Sequence, residues 1–179
     1  MKTRDITVMA ICTALMCVLS PLSIPLTGGV PISLATFVVM VFGVVLKQNK
    51  TVIVVALYLI IGLIGIPVYG SFTSGASILF GMTGGYLFGY VILGYITGLF
   101  SSISKNKDKK TRNLYLIGGM VFGTVVLYLV GTIYFMKFTG MDLASSMAAC
   151  VIPFIPGDII KMVITLVISP RLETIVDKK

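Results

Sequence analysis

Six apolar stretches, separated by short segments that hold nearly all of the charge, dominate this 179-residue chain: Ile6 to Ile24, Ser33 to Leu46, Thr51 to Ile66, Gly84 to Ile103, Asn113 to Phe138 and Pro156 to Ser169. A helix rises about 1.5 Å per residue, so stretches near 20 residues match a hydrocarbon core of roughly 30 Å. Charged residues make up 11% of the sequence, against about 25% in soluble domains, and mean hydropathy is +1.07, so most of the surface must meet lipid. The expected fold is all-α integral membrane: one transmembrane domain, residues 1–179, with six transmembrane helices. The second and sixth stretches are about 14 residues long, too short to span unaided. They are expected to start inside a cavity or a reentrant loop, because broken backbone at membrane depth has to be buried in protein.

The positions of the basic residues say more than the net charge of +8. Lys2 and Arg4, Lys47 and Lys50, Lys105 to Arg112, and Arg171, Lys178 and Lys179 account for all but two of the 14 Lys and Arg. The positive-inside rule puts these four segments in the cytoplasm, which requires an even number of spans and both termini inside. In that setting the Lys105 to Arg112 run reads as a topology anchor, and no nucleic acid is implied. Lys2 and Arg4 before an apolar run resemble a signal peptide, but Ser20-Pro21-Leu22-Ser23-Ile24-Pro25 follows without an Ala-x-Ala site, so the first helix is expected to stay in the membrane.

Small residues recur at four-residue spacing: Ala10 and Ala14; Gly81, Gly85 and Gly89; Gly94 and Gly98; Gly119 and Gly123. Such pairs let helices approach closely. Gly94 follows Gly85 by half a turn of phase at 100° per residue, so the fourth helix is expected to pack on opposite faces at its two ends and to be central. Ala10 and Ala14 sit on the first helix of a small bundle, where one face points outward and a partner can dock.

The sequence has no His and no Trp, which removes the commonest general base and metal ligand. Cys12, Cys17 and Cys150 form no metal-binding spacing and read as apolar fillers. No catalytic residue, cofactor or metal is expected. Asp158 and Lys161 do not fit the charge pattern. They stand at the start of the last span in Pro153-Phe154-Ile155-Pro156-Gly157-Asp158-Ile159-Ile160-Lys161, on one helical face at i, i+3. A charge inside a span costs about 2.5–3.5 kcal/mol on insertion scales, so the pair is expected to face a polar cavity. Pro156 and Gly157 bring a helix N-terminus, with free N–H groups, to the same place. Tyr69, Phe72, Tyr86 and Phe154 are within plausible reach. A ligand with N–H donors and an acceptor or carboxylate suits such a site.

Four stretches carry a family resemblance: Pro25 to Ile32 (PLTGGVPI), Gly65-Ile66-Pro67-Val68-Tyr69, Gly81 to Leu87 (GMTGGYL) and Val151 to Lys161 (VIPFIPGDIIK). Together they resemble BioY, the biotin-specific substrate-binding (S) component of energy-coupling factor (ECF) transporters. The resemblance implies the S-component fold, and biotin held at the extracytoplasmic side under a lid around Thr27 to Pro31. It implies Asp158 and Lys161 as polar recognition residues, with Tyr86, Tyr69, Ser74, Gly28, Gly29 and Val30 around the ligand. Asp158 is the natural acceptor for ureido N–H groups, and Lys161 serves either the ureido oxygen or the valerate carboxylate. Ala10 and Ala14 match the surface on which the family's coupling subunit docks. Met82 departs from the usual Pro, and Ser71 to Ser74 from a Gly-rich loop.

No Gly-rich Lys-Ser/Thr phosphate loop occurs in the sequence, so ATP-driven uptake needs a transmembrane coupling (T) subunit and two ATP-binding-cassette ATPases. The resemblance places the chain in the plasma membrane of a prokaryote. An intramembrane aspartyl protease needs two carboxylates sharing a site, and no span offers a second acid. The alternative is a stand-alone secondary carrier or channel for a small amphipathic solute, although the two halves show no repeat.

Overall fold

The computed structural model describes residues 3–24 and 30–177. Helix α1 (Thr3–Leu19) leads into a short hairpin of β1 (Ser23–Ile24) and β2 (Ile32–Ser33), then α2 (Ala35–Leu63), a short α3 (Ala76–Leu79), α4 (Gly84–Ser104), α5 (Lys109–Thr139), α6 (Leu143–Cys150) and α7 (Ile155–Asp177). Four stretches of helix are long and apolar enough to cross a membrane. One of them, α2, is not a single rod.

Lys47 breaks α2 with φ 66 and ψ 175. Val39 and Thr51, on either side of the break, both pack on Gly94, while Gly98 meets the Lys47–Gln48 backbone. Residues 35–46 and 48–63 are therefore two antiparallel passes. Backbone groups freed at the reversal find partners inside the protein. The Thr51 hydroxyl lies 2.9 Å from the Phe42 carbonyl and 2.7 Å from that of Lys47, and Ser101 donates to the Val44 carbonyl at 2.7 Å. Such compensation allows broken backbone at membrane depth. With α1, α4, α5 and α7 the described residues make six passes.

The expected boundaries shift at two places. The first helix stops at Leu19, not Ile24, because Ser20-Pro21 turns the chain and Ser23–Ile24 pairs antiparallel with Ile32–Ser33. The last helix is not short: it runs through Pro170 to Asp177, carrying Arg171 and Glu173 beyond the apolar run. The second span begins, as its length requires, at a wall of the polar cavity described below.

Helix α4 is central. At one end Gly85 and Gly89 face Tyr134, Gly131 and Leu127 of α5; at the other Gly94 and Gly98 face Thr51, Val39 and Gln48 of α2. Gly119 and Gly123 of α5 return the contact onto Phe100 and Leu93. The phase shift read from the glycine spacing is thus the switch of α4 from one neighbour to the other. At one end of the bundle the charges gather: Lys50 pairs with Asp5 at 2.7 Å, Arg4 donates to the Val176 carbonyl at 2.6 Å, and Arg112 pairs with Glu173. Lys47, Lys105, Arg112 and Glu173 line one recess there. Asp108 caps α5 through the Thr111 N–H at 3.0 Å, and the bonds from Thr111 hold its carboxyl below the usual carboxylate range.

A Cβ on Gly98 would stand 2.3 Å from the Gln48 nitrogen, whereas one on Gly118 meets only the Phe100 ring at 3.8 Å. Gly98→Ala should therefore cost about 1–3 kcal/mol through overpacking, while Gly118→Ala should be neutral or stabilising through helix propensity. Thermal unfolding of the two variants in detergent checks the contrast.

Candidate ligand-binding site

The start of α7 lies against the start of α2 and the middle of α5, and their polar side chains meet in an otherwise apolar bundle. Lys161 and Asp158 are 8% and 3% exposed. The Lys161 ammonium donates to Asp158 Oδ1 at 2.9 Å, to the Ser33 carbonyl at 2.9 Å and to Thr36 Oγ1 at 2.8 Å, which uses all three of its N–H groups. Thr36 donates in turn to Asp158 Oδ1 at 3.2 Å, and the Tyr128 hydroxyl to Oδ2 at 2.5 Å. Asp158 also occupies the first turn of α7, where the helix dipole favours negative charge. Each carboxylate oxygen accepts about two hydrogen bonds. Among the described residues, Oδ1 accepts from Lys161 and Thr36, while Oδ2 accepts from Tyr128 alone and keeps one acceptor position.

Asp158 and Lys161 line a small chamber of about 30 Å³ together with Val30, Pro31, Ser33, Thr36, Tyr86, Tyr90, Leu127, Tyr128 and Phe154. An adjoining chamber of about 160 Å³ shares Val30, Pro31, Ser33, Tyr86 and Tyr90 and adds Tyr69, Ser71, Thr73 and Thr83. The two form one tyrosine-lined cavity with an ion pair at its polar end and the return limb of the β1–β2 hairpin across it. A groove of about 540 Å³ between α1, α2 and α7 is larger, but apart from Arg4 its lining is apolar. It has the character of a lipid-facing surface.

Asp158, Lys161, Tyr86 and Val30 come together as the sequence suggests, and Phe154 joins them. Tyr86 is buried, its hydroxyl 3.0 Å from Thr132 Oγ1, so its ring forms the wall. Tyr69 lines the second chamber with its ring while its hydroxyl donates to the Leu59 carbonyl at 2.6 Å. Ser74 lines neither chamber. The turn closed by Tyr69 N–H to the Thr73 carbonyl presents Ser71 and Thr73 instead. Phe72, 63% exposed, lines neither chamber. Gly28 and Gly29 lie outside the described residues. Thr36, Tyr128, Ser33 and Tyr90 were not among the expected site residues. Tyr128, a hydroxyl in mid-span that needs a buried partner, was the one legible signal among them.

Superposition on known structures shows the class: the fold is that of an S-component. The chain matches the structure described as the S-component for biotin from an ECF-type ABC transporter with a TM-score of 0.83 and 29% identity, covering 97% of this chain and 95% of that one. Among sequences, it is 34% identical over 171 residues to biotin transporter BioY2 of Lactococcus lactis, spanning 96% of this chain and 91% of that protein. It is 33% identical over 170 residues to biotin transporter BioY of Thermotoga maritima, spanning 95% and 96%. The BioY family model matches residues 1–178, and the chain belongs to the BioY family.

Removing one partner of a buried, hydrogen-bonded ion pair strands the other charge and costs about 3–5 kcal/mol. Asp158→Asn should therefore lower the unfolding midpoint of the ligand-free protein. Adding Lys161→Met should recover much of the loss, since the double variant leaves no buried ammonium. Thermal melts of the single and double variants test this.

Proposed function

We propose that this chain is the biotin-capturing subunit of an ATP-driven uptake transporter in the plasma membrane of a prokaryote. The supporting observation is the Lys161–Asp158–Tyr128 cluster at the polar end of a tyrosine-lined cavity, in a chain whose relatives are biotin transporters. The free acceptor position on Asp158 Oδ2 suits a ureido N–H. Lys161 already uses its three donors on protein groups, so a ligand carbonyl or carboxylate engages it by displacing one of them, the Ser33 carbonyl being the uncharged backbone choice. The fused rings and tail lie against the apolar walls, beside Val30 and Pro31.

The positive-inside rule puts the charged end of the bundle in the cytoplasm and the cavity near the outer face. Ala10 and Ala14 are exposed on α1, as are the neighbouring Ile11 and Leu15, which supports docking of a coupling subunit that connects to two ATPases. Robust concentrative biotin uptake by the chain alone in ATP-free vesicles would favour the stand-alone carrier instead.

Isothermal titration of biotin into the detergent-solubilised protein should show one-to-one binding. Asp158→Asn and Lys161→Ala should each weaken it by about 2–5 kcal/mol, roughly 30-fold or more, the usual result of truncating one partner of a buried charge pair at a binding site. Absence of saturable heat with wild-type protein would overturn the proposal. A second expected outcome concerns α1: Ala10→Leu with Ala14→Leu should leave biotin affinity unchanged while abolishing co-purification with the coupling subunit.

A further inference from the structure

An apolar groove and a basic recess meet at the charged end of the bundle. The groove, about 540 Å³, lies between α1, α2 and α7, and its walls include Val8, Cys12 and Leu19 of α1, Phe37 and Val41 of α2 and Ile168 of α7. From Val8 to Leu19 it follows α1 for about 16 Å, roughly half of a hydrocarbon core, which is the depth of one leaflet. Arg4, its one charged lining residue among those described, stands at the end where a lipid headgroup would begin. Arg4 donates to the Val176 carbonyl at 2.6 Å, a contact that occupies one of the five N–H groups of a guanidinium.

Val45 lines the same end of the groove and is also a wall of a recess of about 170 Å³, whose other lining residues are Lys47, Ser101, Lys105, Arg112 and Glu173. Lys47 lines the recess from the chain reversal, where φ 66 and ψ 175 strain a residue with a Cβ. At this end the described cations Arg4, Lys47, Lys50, Lys105 and Arg112 outnumber the carboxylates Asp5, Asp108 and Glu173. The pairs Lys50–Asp5 and Arg112–Glu173 therefore leave an excess of positive charge beside the end of the groove.

We propose that groove and recess together hold one anionic phospholipid, an acyl chain lying in the groove and the phosphate meeting Arg4 and the cations of the recess. The apolar walls call for a hydrocarbon tail, which a soluble anion lacks. The basic end selects a headgroup of net negative charge, because a zwitterion would bring its own cation into a region already positive. Basic pockets between membrane helices take acidic headgroups for this reason. On α1 the stripe of Arg4, Val8, Ile11, Cys12, Leu15 and Leu19 is centred roughly 130° around the helix from Ala10 and Ala14, at 100° per residue. A lipid on this stripe leaves the Ala10–Ala14 face uncovered.

The test is native mass spectrometry of the full-length, delipidated protein in detergent, titrated with phosphatidylglycerol and separately with phosphatidylcholine. Wild type should bind one phosphatidylglycerol saturably, and phosphatidylcholine about tenfold or more weakly. Each cation near a membrane surface is worth about fivefold in affinity for an acidic lipid. Arg4→Gln with Lys105→Gln should therefore weaken phosphatidylglycerol about 25-fold and phosphatidylcholine little, while Arg4→Lys should bind as wild type does. Leu15→Trp, which fills the groove, should weaken both lipids, and Leu129→Trp, exposed on α5 outside the groove, should weaken neither. Arg4 and Lys105 are exposed, so their variants judge the headgroup contact even if Leu15→Trp fails to fold. Equal affinity for the two lipids in wild type, or lipid binding unchanged in a folded Leu15→Trp, overturns the proposal. So does a wild type that binds no lipid while Leu15→Trp loses a dimer or the coupling subunit, which gives the groove to that protein partner.

Discussion

An ammonium group buried in an apolar bundle has to be neutralised and fully hydrogen-bonded, and the half of this molecule away from its charged end is arranged around that requirement. Lys161 draws Asp158 from its own helix, the Ser33 carbonyl from the end of β2, Thr36 from the start of α2, and through Asp158 the Tyr128 hydroxyl from α5. Three separate passes are thereby fixed in register at one level. Isolated ions cost several kcal/mol each to bury, so the pair adds little net stability. It places a charged, directional cluster at the end of a cavity with one carboxylate acceptor position still available.

Close helix approach does the rest. The glycines of α4 let it touch α5 at one end and the folded-back arms of α2 at the other, so a single central helix holds both walls of the bundle. Because α2 reverses at Lys47, its first arm is short and begins at Ala35, just after Ser33, where the Ser33 carbonyl and the Thr36 hydroxyl are available to the ammonium. A full-length second span would have carried those groups past the site.

Much of this was legible in the sequence because it depends on costs that a single residue reveals. Charges at odds with a membrane-spanning pattern identified Asp158 and Lys161, and the glycine phase shift identified the central role of α4. Clustered basic residues identified segments that do come together at one end of the bundle. What was not legible depends on contacts between distant segments. Thr36 and Tyr128 look like ordinary helix residues until α2 and α5 are placed beside α7. Ser74 looked equivalent to Ser71 and Thr73 until the turn placed the latter two along the second chamber. The end of α1 at Leu19 reflects the pairing of β1 with β2, whose partner lies beyond the loop.

The account stands most directly on where a ligand sits. A structure of the protein with biotin bound should place a polar group of biotin within hydrogen-bond distance of both Asp158 and Lys161, with its rings against Tyr86 and Tyr90 beneath Val30 and Pro31. Biotin located elsewhere, with the Lys161–Asp158–Tyr128 bonds unchanged and the cavity empty, would contradict it.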